Sequence, residues 1–326
     1  FQEITARYAN LRIAVVGDYS CDRYLEIDPT KQETSIETGL PVHNVTNVRA
    51  QPGAAGTIVS NLAALGIGEI WPVGFCGTDG EGYELCHALK QLPRVKMDHF
   101  IESAERRTFT YCKPLMMEPD QPTRELSRLD SKNWHPTPSA LQDQLANAVR
   151  KLAPQVDTMI VLDQVDEPET GVVTRSLLAA IDEIRNQTLV IGDSRRGLKH
   201  WPHIVYKMNA NELAQLTGQA SEPSESAASS LSGQTGQPVF VTLAEGGILG
   251  ATPDGVTAQS PALPVQGEID IVGAGDAVTA NLAAALAGDA ELSEALALAN
   301  AGASVVIHKL GTTGTASVEE MRETLG

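Results

Sequence analysis

The chain has 326 residues, enough for one large α/β domain or two ordinary ones, and a core of that size needs no disulfide or metal to stabilise it. Its 24 Lys and Arg against 41 Asp and Glu leave a net charge of −17, which argues against a nucleic-acid backbone or an anionic membrane surface as the main partner. The 42% hydrophobic and 20% charged composition excludes collagen-like, disordered and coiled-coil classes, and no apolar run approaches the ~20 residues of a membrane span.

The first element is a continuous apolar run at 11–16 closed by Gly17-Asp18, the pattern of a strand buried on both faces. Residues 25–50 break the pattern. A helix follows at 55–65 with Ile58, Val59, Leu62 and Leu65 on one face, then a strand at 70–75. A second irregular stretch covers 100–130, where Arg107 to Lys113 is rich in β-formers. Beyond it come a helix at 139–152, a strand at 158–162, a helix at 170–184, and strands at 189–191, 204–208 and 239–243. Residues 221–236 fit either a helix or a loop. After Gly275 the chain reads as helical almost to its end, with Val278, Leu282 and Leu286 at spacing four and a further run at 292–307.

Strands alternating with helices predict a mostly parallel sheet covered on both faces, in one domain spanning 1–326. The two irregular stretches read as strands of a small separate sheet, inserted where it would overhang the ligand crevice as a lid. The four cysteines, Cys21, Cys76, Cys86 and Cys112, show no C-x-x-C or paired spacing, which predicts unpaired thiols and a cytoplasmic location.

Chemistry concentrates at Asp270-Ile271-Val272-Gly273-Ala274-Gly275-Asp276. Small residues lead straight into a helix, so free N–H groups and the positive end of the helix dipole converge, and the glycines let a phosphate approach. Asp276 in the first turn stands where a general base belongs beside such an anion hole. The same residues also satisfy a plain tight turn with a helix-start carboxylate.

This segment resembles the second signature of the ribokinase-like (PfkB) carbohydrate kinases, commonly D-T-x-G-A-G-D, and the resemblance runs in order over nearly the whole chain. Gly17-Asp18 with Asp22 is similar to the opening G-D-x-x-x-D, and Pro52-Gly53-Ala54-Ala55-Gly56-Thr57 to the Gly-rich first signature. Asn209 to Glu212 is similar to N-x-x-E, and Thr242 to Gly247 to the T-x-G-x-x-G nucleotide loop. Within the family, Asp22-Arg23-Tyr24 and the tail around Asn300 and Lys309 look most like the heptose 7-phosphate kinases.

The resemblance implies an α/β ribokinase-like fold and transfer of the γ-phosphoryl of ATP to a hydroxyl of a sugar or sugar phosphate. Asp276 is then the base and the backbone of Gly273, Ala274, Gly275 and Asp276 the anion hole. Asp18, Asp22, Gly53, Ala54 and Thr57 would contact the sugar. Asn209, Thr242, Ala244, Gly247 and Asn300 would hold the nucleotide, and Glu212 would hold Mg²⁺ through water. Lid strands in this family often pair across a two-fold axis, which implies a homodimer; no nucleic-acid or membrane partner is implied. Arg23, Arg106, Arg107, Lys113, Arg128, Arg195 and Lys199 are the basic residues in segments expected to face the cleft, where some would neutralise a sugar phosphate.

Three departures stand out. Val272 replaces the usual Thr or Ser, which leaves monovalent-cation use open; Thr57 stands where the heptose kinases have Asn, which leaves the sugar open; Ala244 stands where the loop usually has Gly. No H-x-G-H string occurs, so of the two activities that bifunctional heptose enzymes combine only the kinase one is expected. A dinucleotide dehydrogenase lacks its G-x-G-x-x-G here, and a P-loop NTPase its G-K-[ST]. A ribokinase-like protein that binds sugar or nucleotide without catalysing transfer is the remaining alternative.

Overall fold

A computed structural model describes residues 1–118, 121, 123–218 and 223–326. Helix α1 (Gln2–Thr5) leads to strand β1 (Arg12–Gly17), and the chain passes at once into β2 (Tyr19–Ile27). A hairpin of β3 (Glu33–Thr34) and β4 (Pro41–Val42) precedes the long β5 (Val45–Ala54) and helix α2 (Ala55–Ala64). Next come β6 (Glu69–Gly77), α3 (Gly80–Gln91), β7 (Phe100–Ser103), β8 (Phe109–Met116), β9 (Arg124–Glu125) and β10 (Leu129–Ser131). Then follow α4 (Ser139–Leu152), β11 (Thr158–Asp163), α5 (Arg175–Ile184), β12 (Leu189–Ser194), β13 (Val205–Asn209), α6 (Ala210–Thr217) and α7 (Ser224–Thr235). The last elements are β14 (Val239–Thr242), β15 (Ile248–Ala251), β16 (Thr257–Ser260), α8 (Ala274–Ala287), α9 (Leu292–Ile307) and α10 (Val318–Leu325).

The main sheet has the order β16-β15-β14-β13-β12-β11-β1-β6-β7. From β14 to β7 every pairing is parallel, and β15 and β16 close one edge antiparallel. The apolar run in β1 has its cause in this arrangement. Ile13 and Val15 point into a core shared with α2, α8 and α9, while Ala14 and Val16 point into a second core under α4 and α5. From β1 the chain goes to β6 and β7 on one side, then crosses to β11 and onward on the other. The strand order therefore reverses between β1 and β11, and a crevice opens beyond the carboxyl ends of these strands.

A second sheet, β10-β8-β2-β5 with β9 beside β8, is built from the two inserted stretches. Its side chains divide by the two-residue period. Asp22, Tyr111 and Lys113 share one face, since Asp22 pairs with Tyr111 and Tyr24 with Lys113. Arg23 and Cys112 share the other, where Arg23 donates to Glu84 of α3 at 3.0 Å.

The structure moves several expected boundaries. The insertions begin earlier and later than expected: the first takes in residues 19–54, and β7, expected in the lid, pairs with β6 in the main sheet. The expected helix at 170–184 starts only at Arg175, because the Val172 N–H is held by the Asp18 carboxylate at 2.7 Å and Thr174 then caps the helix. Residues 221–236, open between helix and loop, contain α7; positions 221 and 222 lie outside the described residues, as do 119, 120 and 122 of the second inserted stretch. The helical tail is interrupted between α9 and α10.

Candidate active site

The crevice holds a cavity of about 510 Å³. From the sequence-expected set it gathers Asp22, Ala54, Thr57, Asn209, Glu212, Thr242, Gly273, Gly275 and Asp276 into one lining. Strand ends of the main sheet supply Asp193, Lys207, Asn209 and Thr242; the second sheet supplies Asp22, Tyr111 and Lys113; the start of α8 forms the floor.

At that floor Gly273 caps α8 with φ +85°, a left-handed conformation that favours glycine, and a Cβ there would lie 2.7 Å from the Thr313 methyl. Gly275 and Asp276 are the second and third helical residues, so their N–H groups find no acceptor within the helix and are free for an anion. The N–H of Ala274, expected in the same hole, is instead turned into the preceding turn, where it donates to the Ile271 carbonyl at 3.2 Å.

Beside this hole lies a buried ion pair that motif reading missed. Lys207 Nζ donates to Asp193 Oδ2 at 2.8 Å, and the Thr279 hydroxyl donates to the same oxygen at 3.1 Å. A Cβ on Gly275 would approach the ammonium to 3.3 Å, so the glycine keeps this charge close to the helix start. Burial pushes the Asp276 carboxyl up to about 7; Lys207 pulls it down, and the charges of Asp193 and Asp22 push it up again. Burial works against the Lys207 ammonium, yet the adjoining Asp193 charge and hydrogen bond outweigh it and hold the group above its ordinary value. A signal for the pair existed in the sequence: charged residues at the carboxyl ends of otherwise apolar strands. Gln164 and Thr313, also in the lining, carry no comparable signal.

On the opposite wall, Asp22 accepts from the Ser20 hydroxyl at 3.0 Å. Burial raises its carboxyl above the usual range, while Lys113, Ser20 and Arg128 act to lower it. Lys113 lies 4.9 Å above the Tyr24 ring and Arg128 5.3 Å from the Tyr111 ring, so both cations are braced by aromatic faces. Arg195 completes a group of three cations on the lining.

Asn209 and Glu212 form a full capping box at the start of α6: the Asn209 side chain accepts from the Glu212 N–H at 3.0 Å, and Glu212 Oε2 accepts from the Asn209 N–H at 2.7 Å. Burial raises the Glu212 carboxyl. Capping occupies Oε2 of Glu212, a residue that lines the cavity. Among the described residues no cluster of three or more His, Cys, Asp or Glu could hold a metal by itself.

Several expected site residues do something else. Asp18 does not reach the cavity: its Oδ2 accepts from the N–H groups of Gln164 and Val165 at 2.8 and 3.3 Å and its Oδ1 from Val172, so both oxygens are spent on pinning the 164–172 segment. Burial together with the nearby Asp163 raises its carboxyl to about 7 against these three donors. Gly53 lies behind the wall, where a Cβ would sit 2.1 Å from Asp22 Oδ1.

Ala244, Gly247 and Asn300 lie outside the lining and form a second cluster. Asn300 donates to the Ser260 and Pro261 carbonyls at 2.9 and 2.6 Å, which ties down the strand end and engages its NH2 group. Gly247, at φ +83°, packs against the same segment, and Ala244 sits at φ +50° in the loop.

Of the basic residues, Lys113, Arg128 and Arg195 face the cavity, whereas Arg23, Arg106, Arg107 and Lys199 do not. Arg23 pairs with Glu84, Arg106 donates to the carbonyls of His135 and Thr170, Arg107 approaches Asp79 at 3.6 Å, and Lys199 borders a groove near Trp201. All four cysteines are buried free thiols, and among the described residues no helix is long and apolar enough to cross a membrane.

Comparison with known proteins agrees with this layout. The bifunctional protein HldE of Azorhizobium caulinodans is 30% identical over 304 residues, covering 92% of this chain and 61% of that protein, and the HldE of Rhodospirillum rubrum is 30% identical over 324 residues, covering 98% and 63%. The chain thus spans about three-fifths of the length of these relatives. Two solved structures share the ribokinase-like fold. Arabidopsis thaliana ribokinase complexed with ribose and ATP has a TM-score of 0.69 at 19% identity, covering 97% of this chain and 98% of that one. Escherichia coli phosphofructokinase-2 in complex with substrates and products has a TM-score of 0.73 at 19% identity, covering 96% and 98%. Residues 11–319 match the pfkB family of carbohydrate kinases, and this chain belongs to that family.

Proposed function

We propose that the protein transfers the γ-phosphoryl of ATP to a hydroxyl of a phosphorylated sugar, with residues 1–326 acting as one kinase domain and the second sheet as its lid. The observation that carries the reading is the pairing of Asp276 with the free N–H groups of Gly275 and Asp276 at the floor of a cavity whose other wall carries Asp22. In this reading the acceptor hydroxyl lies between the two carboxylates and gives its proton to Asp276. Its oxygen bonds to the γ-phosphorus as the bond to the β–γ bridging oxygen breaks, and ADP leaves. The helix start and Lys207 stabilise the charge spread over the transferring group. Mg²⁺ supplies charge neutralisation on the nucleotide phosphates, and the sparse set of Asn209 and Glu212 suits an ion that keeps most of its own waters.

Lys113 and Arg195 support an acceptor that is already phosphorylated: among the described residues Lys113 makes no ion pair and Arg195 stands 3.8 Å from Asp166, so both have charge to offer a phosphate, whereas Arg128 already pairs with Asp130 at 2.7 Å. Heptose 7-phosphate is the first acceptor to try, given the HldE relatives. We further propose cytoplasmic operation, consistent with the four free thiols, and a homodimer formed through the second sheet, which sedimentation at working concentration tests; a monomeric mass overturns the dimer. The non-catalytic alternative has less support, since a binding protein has no use for a carboxylate held near neutrality beside an anion hole.

The test is ADP release from Mg-ATP across sugars and their 1-, 6- and 7-phosphates. A signal that depends on a phosphorylated sugar is expected. Silence across the panel in a protein that still binds ATP would overturn catalysis in favour of the binding role.

A further inference from the structure

Ala54 stands where β5 ends and α2 begins, with φ +53° and ψ −121°. That combination belongs to the first central position of a type II′ turn, where glycine is the residue expected because a Cβ crowds its own backbone. Ala54 is nevertheless held there from both sides. Its neighbour Gly53 is pressed against the Asp22 carboxylate, Ala54 itself is paired in register with Tyr19, and the next N–H, of Ala55, donates to the Asp18 carbonyl at 2.9 Å. Ala54 packs partly against the core shared with α2, α8 and α9, and it also forms part of the cavity wall together with Asp22 and Thr57.

From this juxtaposition of a glycine-type conformation with a place in the cavity wall, we propose that Ala54 is a specificity-determining residue. Its methyl narrows the cavity beside Asp22 and selects the acceptor by the bulk of the carbon that carries the Asp22-bound hydroxyl. Strain retained at a site wall is stability exchanged for shape. The inference rests on the sugar-kinase reading, so its test needs one readout that does not.

Ala54→Gly supplies both, because glycine adopts this conformation freely and the variant is expected to fold. The first readout is thermal melting without ligand. Relief of a residue at a sparsely populated φ, less the extra freedom glycine gives the unfolded chain, is expected to raise the midpoint by about 2–4 °C. The second is kcat/KM for pentose, hexose and heptose phosphates, together with the melting shift each one induces at saturating concentration. Removing one methyl from a tight wall changes discrimination by ~10-fold, so bulkier acceptors should gain on smaller ones by that factor in the variant.

A lower melting midpoint for Ala54→Gly would overturn the strain argument. A higher midpoint with the acceptor ranking unchanged within twofold would overturn the specificity role. Failure of the kinase reading has a different signature, namely no ADP from any acceptor. The ranking is then read from the melting shifts alone, and the absence of any shift overturns the proposal too.

Discussion

Replacing Asp276 by Asn separates the catalytic role of this carboxylate from its cost to the fold. Burial lifts it to about 7 from the 3.8 of an unperturbed aspartate, about 4 kcal/mol of penalty for carrying the charge once the pH exceeds both values. Water in the open cavity screens part of this, which brings the expected gain for the neutral amide to ~1–2 kcal/mol, a rise in melting midpoint of roughly 1.5–3 °C at pH 8. The sign follows from proton binding: between pH 4 and 7 the native state holds the proton that the unfolded chain has released, so parent stability falls as pH rises through that window. The variant lacks this fall, so the two melting curves should converge near pH 4 and separate toward pH 8. Lys207 keeps its own partner in Asp193, so the substitution orphans no buried charge. Turnover should move the opposite way, dropping about 10²–10⁴-fold, and parent turnover should rise as pH climbs through about 7 and the base ionises. Scanning calorimetry from pH 4 to 8 beside coupled ADP assays reads both. Turnover within tenfold of the parent, or a variant that melts below it at pH 8, would refute the reasoning.

Asp193→Asn leaves the Lys207 ammonium buried without its counter-charge and should cost ~3–5 kcal/mol in urea unfolding; a loss under 1 kcal/mol would mean that the ammonium reaches cavity water instead. Ala244→Gly relieves a left-handed alanine at φ +50° and should stabilise by about 0.5–1 kcal/mol in thermal melting, with destabilisation arguing that the methyl packs productively. Lys113→Gln should raise KM for a phosphorylated acceptor at least ~10-fold while leaving KM for ATP unchanged, and equal effects on both would move Lys113 away from the acceptor.

What was legible in the sequence follows the reach of local signals. β1 and α2 declared themselves because a buried strand and an amphipathic helix each impose a hydrophobic period, and the segment ending in Asp276 did so because a helix start that admits an anion needs small residues. Asp18 and Asp22 looked interchangeable in the G-D-x-x-x-D string, yet Asp18 follows β1 directly and meets the main-chain N–H groups of residues 164–172, 146 to 154 positions along the chain. No local pattern encodes that meeting. Asn300 shows the same limit: a polar residue on a helix is ambiguous until the strand end it ties down is known. Lys207 and Asp193 were within reach, since a charge at the inner end of an apolar strand is costly unless paired.

The distribution of charge inside the cavity bears on how so acidic a chain would take the two anions of the proposed reaction. Its lining carries Lys113, Arg128, Arg195 and Lys207 against Asp22, Asp193, Glu212 and Asp276, so the cavity itself is close to neutral while the chain is at −17. At physiological salt the far field of the surface decays over ~8 Å, and what a ligand meets on arrival is this local set. The set is also sorted. Lys113 comes from β8 and Arg128 from the loop before β10, whereas Asp193 and Lys207 lie on main-sheet strands, with Glu212 and Asp276 at the starts of α6 and α8. The phosphorylated sugar of the proposed reaction would be drawn to the first group without any metal. A nucleotide triphosphate entering beside three carboxylates is repelled unless a divalent cation travels with it, and Lys207, already neutralised by Asp193, cannot replace that cation. In the proposed reaction this acidic cluster would therefore favour the magnesium complex over free ATP as the form that enters.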